Sequence, residues 1–429
     1  MKRAYILTLG CPKNLVDSEV LAAYLSSGGC AVVDDIDDAD VVVVNTCGFI
    51  QPAVEEGIDV VLDLERLKKE GRLQEIAVVG CMVNRYGDDL KREFPSVDYW
   101  ANAEDWSGLA ERMALRGSRS GRHRLSKTPW SRYLKVGEGC DTRCSFCSIP
   151  SIRGPLRSRP LDSLIDEAVS LAAQGAKEIC LVGQDLTMYG SDLMDRPSLS
   201  DLIDHLEKQL PPNVWGRLFY LHPSRVDQAF LRRVLESPLV VPWLDIPVQH
   251  VDNDVLKRMH RPPVGEHIRT LFRAGRELYP DFAFRTTVMV GFPGETDEAF
   301  ESLLDFVEEV QFDRLGAFTF FAEEGTPAAK MPDQIPQDVK DYRYAQLMEL
   351  QQGISLRRQR RFVGATLDVL IDEVDEDGVR WGRSYRDAPE IDGLVAVSNA
   401  LNAFPGDRIS ATISDASEYD LFGEMVIEA

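Results

Sequence analysis

Cys140, Cys144 and Cys147 stand in the stretch EGCDTRCSFCSIP (138–150) with the spacing C-x3-C-x2-C. Thiolates are the usual ligands of iron–sulfur clusters, and a loop this short wraps one face of a cube without reaching every corner. A structural zinc site, the competing reading, ordinarily brings four ligands in paired units. No fourth cysteine follows nearby. Three thiolates leave one iron of a cube open, and an open coordination position is where a small molecule enters.

A second set is dispersed. Cys11, Cys47 and Cys81 each directly follow a strand-like run, in LTLG-Cys11, VVNT-Cys47 and AVVG-Cys81. In an open parallel sheet the carboxyl ends of the strands share one edge, where ligands bind. The three sulfurs are therefore expected to converge and to hold a second cluster, again one ligand short. One buried cysteine is usually a small apolar residue. Cys30, which opens a strand after Gly28-Gly29, and Cys180, inside ICLVG, are read that way.

The elements that must carry these residues follow from periodicity. Residues 1–111 alternate strand and helix signals, with strands at Ala4–Gly10, Val41–Thr46 and Ile76–Gly80 and helical stretches at Leu15–Ser27 and from Gln51 to Glu70. Alternation of this kind argues for an open parallel α/β domain. Residues 112–132 are rich in Arg, Lys, Gly and Ser and are read as a solvated basic linker; a nucleic-acid contact is the alternative. From 133 to 362 the alternation resumes, with strands expected at Tyr133–Gly139, Glu178–Gly183, Val214–Leu221, Trp243–Gln249, Phe284–Gly291 and Arg314–Phe321. Six strands with crossover helices predict a partial (β/α)6 barrel. Residues 363–429 show short strands at Thr366–Ile371, Gly393–Ser398, Arg408–Ile413 and Glu424–Ile427, a small all-β barrel. The fold class is thus α/β with an appended β-barrel.

Composition narrows the partners. The 429 residues carry a net charge of −22, a poor match to a polyanion, since nucleic-acid binders usually have a basic footprint. From Thr366 to the last residue there are 15 Asp and Glu against 4 Arg, a net charge of −11, which suits a basic protein partner better than RNA. The opening MKRAYILTLGC has an apolar run shorter than a signal-peptide core and reads as a first strand, and no run is long enough to span a bilayer. The expected location is the cytoplasm, where disulfides are rare and eight cysteines favour metal or catalytic use.

The motif C-x3-C-x-aromatic-C, with Phe146 before the last cysteine, resembles that of the radical S-adenosylmethionine (SAM) enzymes. The resemblance implies that the amino and carboxylate groups of SAM chelate the open iron and that electron transfer cleaves SAM to methionine and a deoxyadenosyl radical. With the second triad and the terminal barrel, the whole chain is similar to the methylthiotransferases. That family implies an N-terminal cluster domain, a radical SAM barrel, a TRAM domain and two 4Fe-4S clusters, the N-terminal one carrying sulfur. A tRNA-modifying and a ribosomal-protein branch share both cysteine sets. WLDIPVQH (243–250), GRSYRDAPEIDG (382–393) and DASEYDL (415–421) look most like the second branch, which modifies an aspartate of the twelfth small-subunit ribosomal protein. The acidic terminal barrel points the same way. The reading from another class is a non-catalytic iron–sulfur electron carrier or scaffold.

The resemblance also places Gln184, in LVGQD, beside SAM, and Gly291 and Gly294 in VGFPGE are candidates for close backbone approach to a ligand. Arg153, Arg157 and Arg159 are candidates to hold a carboxylate, of SAM or of the target, with solvated loop residues as the alternative. His222 and His250 end strands of the same region and read as hydrogen-bonding residues. Arg357–Arg361 lies at a helix carboxyl end, where cations are favoured in any case, and is assigned no function.

Overall fold

A computed structural model of the chain describes residues 1–115, 117–118, 121–126, 128–262 and 264–426. The amino-terminal domain comprises β1 (Arg3–Thr8), α1 (Pro12–Ser27), β2 (Ala31–Val33), β3 (Val41–Thr46), α2 (Gln51–Lys69), β4 (Glu75–Gly80), α3 (Cys81–Glu93), β5 (Tyr99–Asn102) and α4 (Trp106–Arg112). Its five strands are all parallel, in the order β2-β1-β3-β4-β5. β3 is buried along its whole length, as a central strand covered on both faces must be, and it accordingly opens with four consecutive valines. The edge strand β2, of three residues, follows Cys30 as expected, whereas β5, of four residues, gives no such run and was not anticipated from sequence.

The central domain begins with β6 (Ser131–Lys135). The short strand β7 (Gly137–Glu138) pairs with β8 (Arg157–Ser158) across the cysteine loop and the short helix α5 (Ile149–Arg153). Then come α6 (Leu161–Ala173), β9 (Glu178–Val182), α7 (Leu199–Gln209), β10 (Trp215–Leu218), α8 (Gln228–Leu235), β11 (Val240–Asp245), α9 (Asn253–Arg258), α10 (Gly265–Leu278), β12 (Ala283–Val290), α11 (Asp297–Val310), β13 (Arg314–Thr319) and α12 (Gln337–Arg360). Six parallel strands run in the order β13-β12-β11-β10-β9-β6 without closing. The expected Trp243–Gln249 strand is displaced: β11 starts at Val240 because Val240 and Val241 are the buried residues that enter the sheet, and Pro247 cannot donate to a ladder.

The terminal barrel closes in the order β14-β15-β16-β18-β17, with β14 (Thr366–Val374), β15 (Arg380–Arg383), β16 (Val395–Ser398), β17 (Arg408–Ala416) and β18 (Leu421–Met425). It packs beneath the open sheet rather than hanging from it. Residues 383–392 enter the amino ends of the parallel strands: Ala388 and Tyr385 join Tyr133, Cys180, Phe219 and Trp243 in one apolar cluster that also receives Val16 of α1. Buried ion pairs fasten this plug. Glu178 pairs with Arg217 at 2.9 Å and with Arg383 at 2.7 Å, Arg314 pairs with Asp387, and Asp313 gathers Arg276, Arg358 and Arg386 at 2.8, 3.0 and 3.1 Å. Arg358, inside the run assigned no function from sequence, is therefore part of the interdomain joint.

The 112–132 stretch corrects the solvated-linker reading. Arg122 pairs with Glu19 and Glu167, Arg132 pairs with Glu19 at 3.0 Å, and all three groups meeting at Glu19 are buried. The positive charge that suggests a linker instead neutralises a carboxylate of α1. Arg116, Arg119, Ser120 and Lys127 of this stretch lie outside the described residues.

Burial alone would raise the Glu178 pKa, but Arg383 and Arg217 outweigh it and hold the carboxyl at about 2. Its ionic stabilisation is thus present above the ordinary carboxylate range and is lost as pH falls toward about 2. Glu178→Ala strips buried Arg217 of its carboxylate and leaves buried Arg383 with Asp372 alone, and is expected to destabilise the chain by about 3–5 kcal/mol near neutral pH. Thermal unfolding of the two proteins at pH 7 measures this. A midpoint unchanged by the substitution would show that the joint contributes nothing.

Candidate functional site

β1, β3 and β4 are adjacent, so the residues after their carboxyl ends share an edge, and Cys11, Cys47 and Cys81 stand there. Glycines let these ends crowd together. A Cβ on Gly10, at φ +90°, would lie 2.8 Å from Cys47 Cβ, and one on Gly80, at φ +104°, would lie 2.4 Å from Asn45 Oδ1. The cysteine loop that follows β7 faces this edge across the barrel mouth. All six cysteines line one cavity of about 470 Å³, together with Phe146, Gln184, Tyr220, His222, Gln249 and Arg261 among others.

The sulfur spacing bears on what this cavity can hold. Tetrahedral zinc with Zn–S near 2.3 Å would bring its sulfurs to about 3.8 Å from one another. Among the described residues no three cysteine sulfurs all lie within 4.8 Å of each other. Each triad is thus more open than a mononuclear zinc site requires. Burial pushes the Cys81 thiol up to about 11 and the Cys147 thiol up to about 12, so ligation must displace protons.

A buried polar network joins the two triads. The Arg153 guanidinium donates to Cys81 Sγ at 3.1 Å, Asp17 Oδ2 at 2.9 Å, Glu138 Oε2 at 2.8 Å and Asn14 Oδ1 at 2.8 Å. Lys135 donates to Asp17 and, at 3.0 Å, to Glu138. Burial opposes ionisation of Glu138, but Lys135 and Arg153 overcome it and hold the carboxyl at about 2. Arg153 thus lines the cavity as foreseen, yet its donors are consumed by protein acceptors. It ties α5, next to the first triad, to α1 and the second.

Gln184 donates from Nε2 to Glu138 Oε1 at 2.5 Å and leaves its own Oε1 without a partner among the described residues, in the cavity. Phe146 lies edge-on to Phe292 at 6.4 Å and presents its ring to the cavity. Gly291 is elsewhere: the space a Cβ would take is occupied by Lys340, 2.2 Å away, so the close approach there serves packing. Gly294 likewise faces Arg258. Arg157 and Arg159 point away, to Glu104 at 3.0 Å and Glu167 at 2.7 Å. His222 accepts at Nδ1 from Ser224 and therefore carries its proton on Nε2, which has no partner among the described residues. Burial and the neighbouring Arg261 and Arg225 depress its pKa to about 2, so it is a neutral donor at physiological pH. His250 is turned inward against Glu295 at 3.5 Å.

Lys13, Tyr220, Gln249 and Arg261 were missed. Tyr220 and Gln249, just past β10 and β11, adopt φ of 58° and 68°. Left-handed conformations of bulky residues mark strain that clusters at functional sites, and no sequence pattern announces them. Lys13, two residues after Cys11, was within reach of a reading that asked which cations accompany the thiols.

Residues 134–307 match the Radical SAM superfamily, residues 363–426 the TRAM domain and residues 3–102 an uncharacterized protein family, UPF0004. A radical SAM methyltransferase from Kitasatospora setae, TsrM, has a similar fold, with a TM-score of 0.55 at 17% identity over 74% of this chain and 73% of its own. Barrel, cysteine loop and these matches define a radical SAM enzyme, a class that uses SAM and a 4Fe-4S cluster. The chain is 43% identical over 443 residues to the ribosomal protein uS12 methylthiotransferase RimO of Geobacter sulfurreducens, spanning 99% of both proteins. It is 41% identical to that of Carboxydothermus hydrogenoformans, spanning 98% of this chain and 99% of the relative. It belongs to the RimO methylthiotransferase family. No helix among the described residues is long and apolar enough to cross a membrane.

Proposed function

We propose that this chain exchanges a hydrogen on the β-carbon of an aspartate of ribosomal protein uS12 for a methylthio group, with SAM and an external one-electron reductant as co-reactants. The observation that carries the reading is the presence of both cysteine triads in one cavity. Cys140, Cys144 and Cys147 would hold the cluster that binds SAM, and Cys11, Cys47 and Cys81 a second 4Fe-4S cluster. When bound, these groups supply the radical chemistry and the transferred sulfur. The protein's part is to hold two three-ligand sites face to face, with Phe146 as an apolar wall and Gln184 Oε1 and His222 Nε2–H as free polar groups. An electron carrier needs neither an open position on each cluster nor a cavity between them. The working units are 1–111, 133–362 and 363–429, and the proposed location is the cytoplasm, with the ribosomal substrate.

The terminal barrel supports a basic protein partner more strongly than its net charge implied. Arg380, Arg383 and Arg386 are buried, while Asp368, Glu373, Glu376, Asp377, Asp407 and Asp415 are exposed. Asp375 is excluded as a docking residue, since it accepts from Trp381 Nε1 at 2.8 Å and from two backbone amides of its turn. Because the barrel leans on Glu178 and Asp313, its docking is tested in the full chain.

The defining experiment incubates reconstituted protein, SAM and reductant with uS12 and, separately, with bulk tRNA, followed by mass spectrometry. A methylthio group on an aspartate of uS12 is expected. Modification of tRNA alone would overturn the assignment in favour of the tRNA branch. Glu376→Gln with Asp377→Asn is expected to weaken uS12 binding by about three- to tenfold at low salt. The effect should shrink as salt screens exposed charges.

A further inference from the structure

We propose that Lys13 holds the side-chain carboxylate of the target residue, an inference that rests on the uS12-aspartate reading above. Lys13 is the second residue of α1, and its side chain crosses from the amino-terminal domain to the barrel mouth. Its Nζ donates to Gly183 O, at the end of β9, at 3.3 Å and lies 4.1 Å from the centre of the Tyr220 ring. Among the described residues no carboxylate lies within 4.0 Å of it. A single long carbonyl contact and a ring face leave an ammonium group with three donors under-satisfied at the half-buried edge of the cavity.

The other cations around the cavity are already committed. Lys135 and Arg153 share Asp17 and Glu138, and Arg225 pairs with Asp185 at 2.7 Å. Arg261 has no carboxylate, but it donates to Pro247 O at 3.0 Å and faces Cys144 Sγ at 3.9 Å, on the side of the SAM-binding triad. Among the described residues that line the cavity, this leaves Lys13, beside Cys11, as the cation open to a second carboxylate. The amino end of α1 adds to it: the first turn has no acidic residue, and the helix dipole makes that end positive. The left-handed φ of Tyr220, 58°, sets the ring where it confines the ammonium group toward the cavity. The aspartate β-carbon is one bond from its carboxyl carbon. A cation that fixes the carboxylate between the two triads therefore fixes the reacting carbon there as well, and discriminates against a neutral side chain.

The competing role for Lys13 is compensation of the negative charge of the neighbouring thiolates, and the test separates the two. Full-length, cluster-reconstituted, unreduced protein is titrated into fluorescently labelled uS12 and into uS12 with its target aspartate replaced by asparagine, with anisotropy as the readout. Native Lys13 is expected to favour the aspartate form by about tenfold, the scale of a charge-assisted hydrogen bond. Lys13→Met should bring the two affinities together, and Lys13→Arg should restore part of the preference. An aspartate preference unchanged in Lys13→Met, or absent in the native chain, overturns the inference. So does an altered electron paramagnetic resonance signal of the N-terminal cluster, recorded on separately reduced protein, in Lys13→Met with the preference intact, which would assign charge compensation instead. If the native chain binds neither form, the substrate reading falls and this inference falls with it. Equal binding of both forms sinks the role of Lys13 alone.

Discussion

Alanine at Cys140, Cys144 and Cys147 together is expected to abolish reductive cleavage of SAM and to remove about half of the iron from reconstituted protein, because thiolates are the ligands that hold such clusters. The three residues have no other visible task. Cys140, Cys144 and Cys147 line the cavity, and burial raises the Cys144 and Cys147 thiols well into the protonated range at neutral pH. Burying thiols that are neither bonded to one another nor packed in the core is hard to explain without a metal to ionise them. Since ligation releases protons, cluster loading should rise with pH between about 6.5 and 8.5. Iron and acid-labile sulfide content, with chromatography of released deoxyadenosine, measures both effects. Full iron content in the triple variant would show that this loop is not a cluster site.

The matching substitution of Cys11, Cys47 and Cys81 should also remove about half of the iron, but leave SAM cleavage in place while methylthio transfer to uS12 falls below detection. The variant is expected to fold, because Arg153 loses only its contact with Cys81 Sγ and keeps Asp17, Glu138 and Asn14. The same network makes the prediction exacting. Arg153 lies on α5, directly after the first triad, so a disturbance at Cys81 has a route to the SAM side. Equal loss of cleavage in the two triple variants would show that the triads do not work as separable units.

Much of this was legible in the residues alone. The close spacing of Cys140, Cys144 and Cys147 is a local property, and a loop of that length has few ways to arrange its sulfurs. The dispersed triad was legible because parallel strands put their carboxyl ends on one edge, so three separate strand-plus-cysteine runs predict convergence. The acidic terminal barrel was legible as charge. Predictions failed at the short edge strand β5 and where a proline displaced a strand boundary, as at β11.

What the sequence by itself determined is the two cysteine triads, the parallel sheets that carry them and the family to which the chain belongs. These depend on residue type, spacing and periodicity, all of which are local. Tertiary structure alone decided which charges are spent and which are free. Arg122, Arg358 and Arg383 look like surface cations in the sequence, yet each is buried against a carboxylate distant along the chain. Arg153 looks available for a ligand and is fully bonded, whereas Lys13 looks ordinary and has no carboxylate within reach among the described residues. The reason is physical: the energy of a charge in a protein depends on its partners and its distance from water, and both are properties of the folded chain.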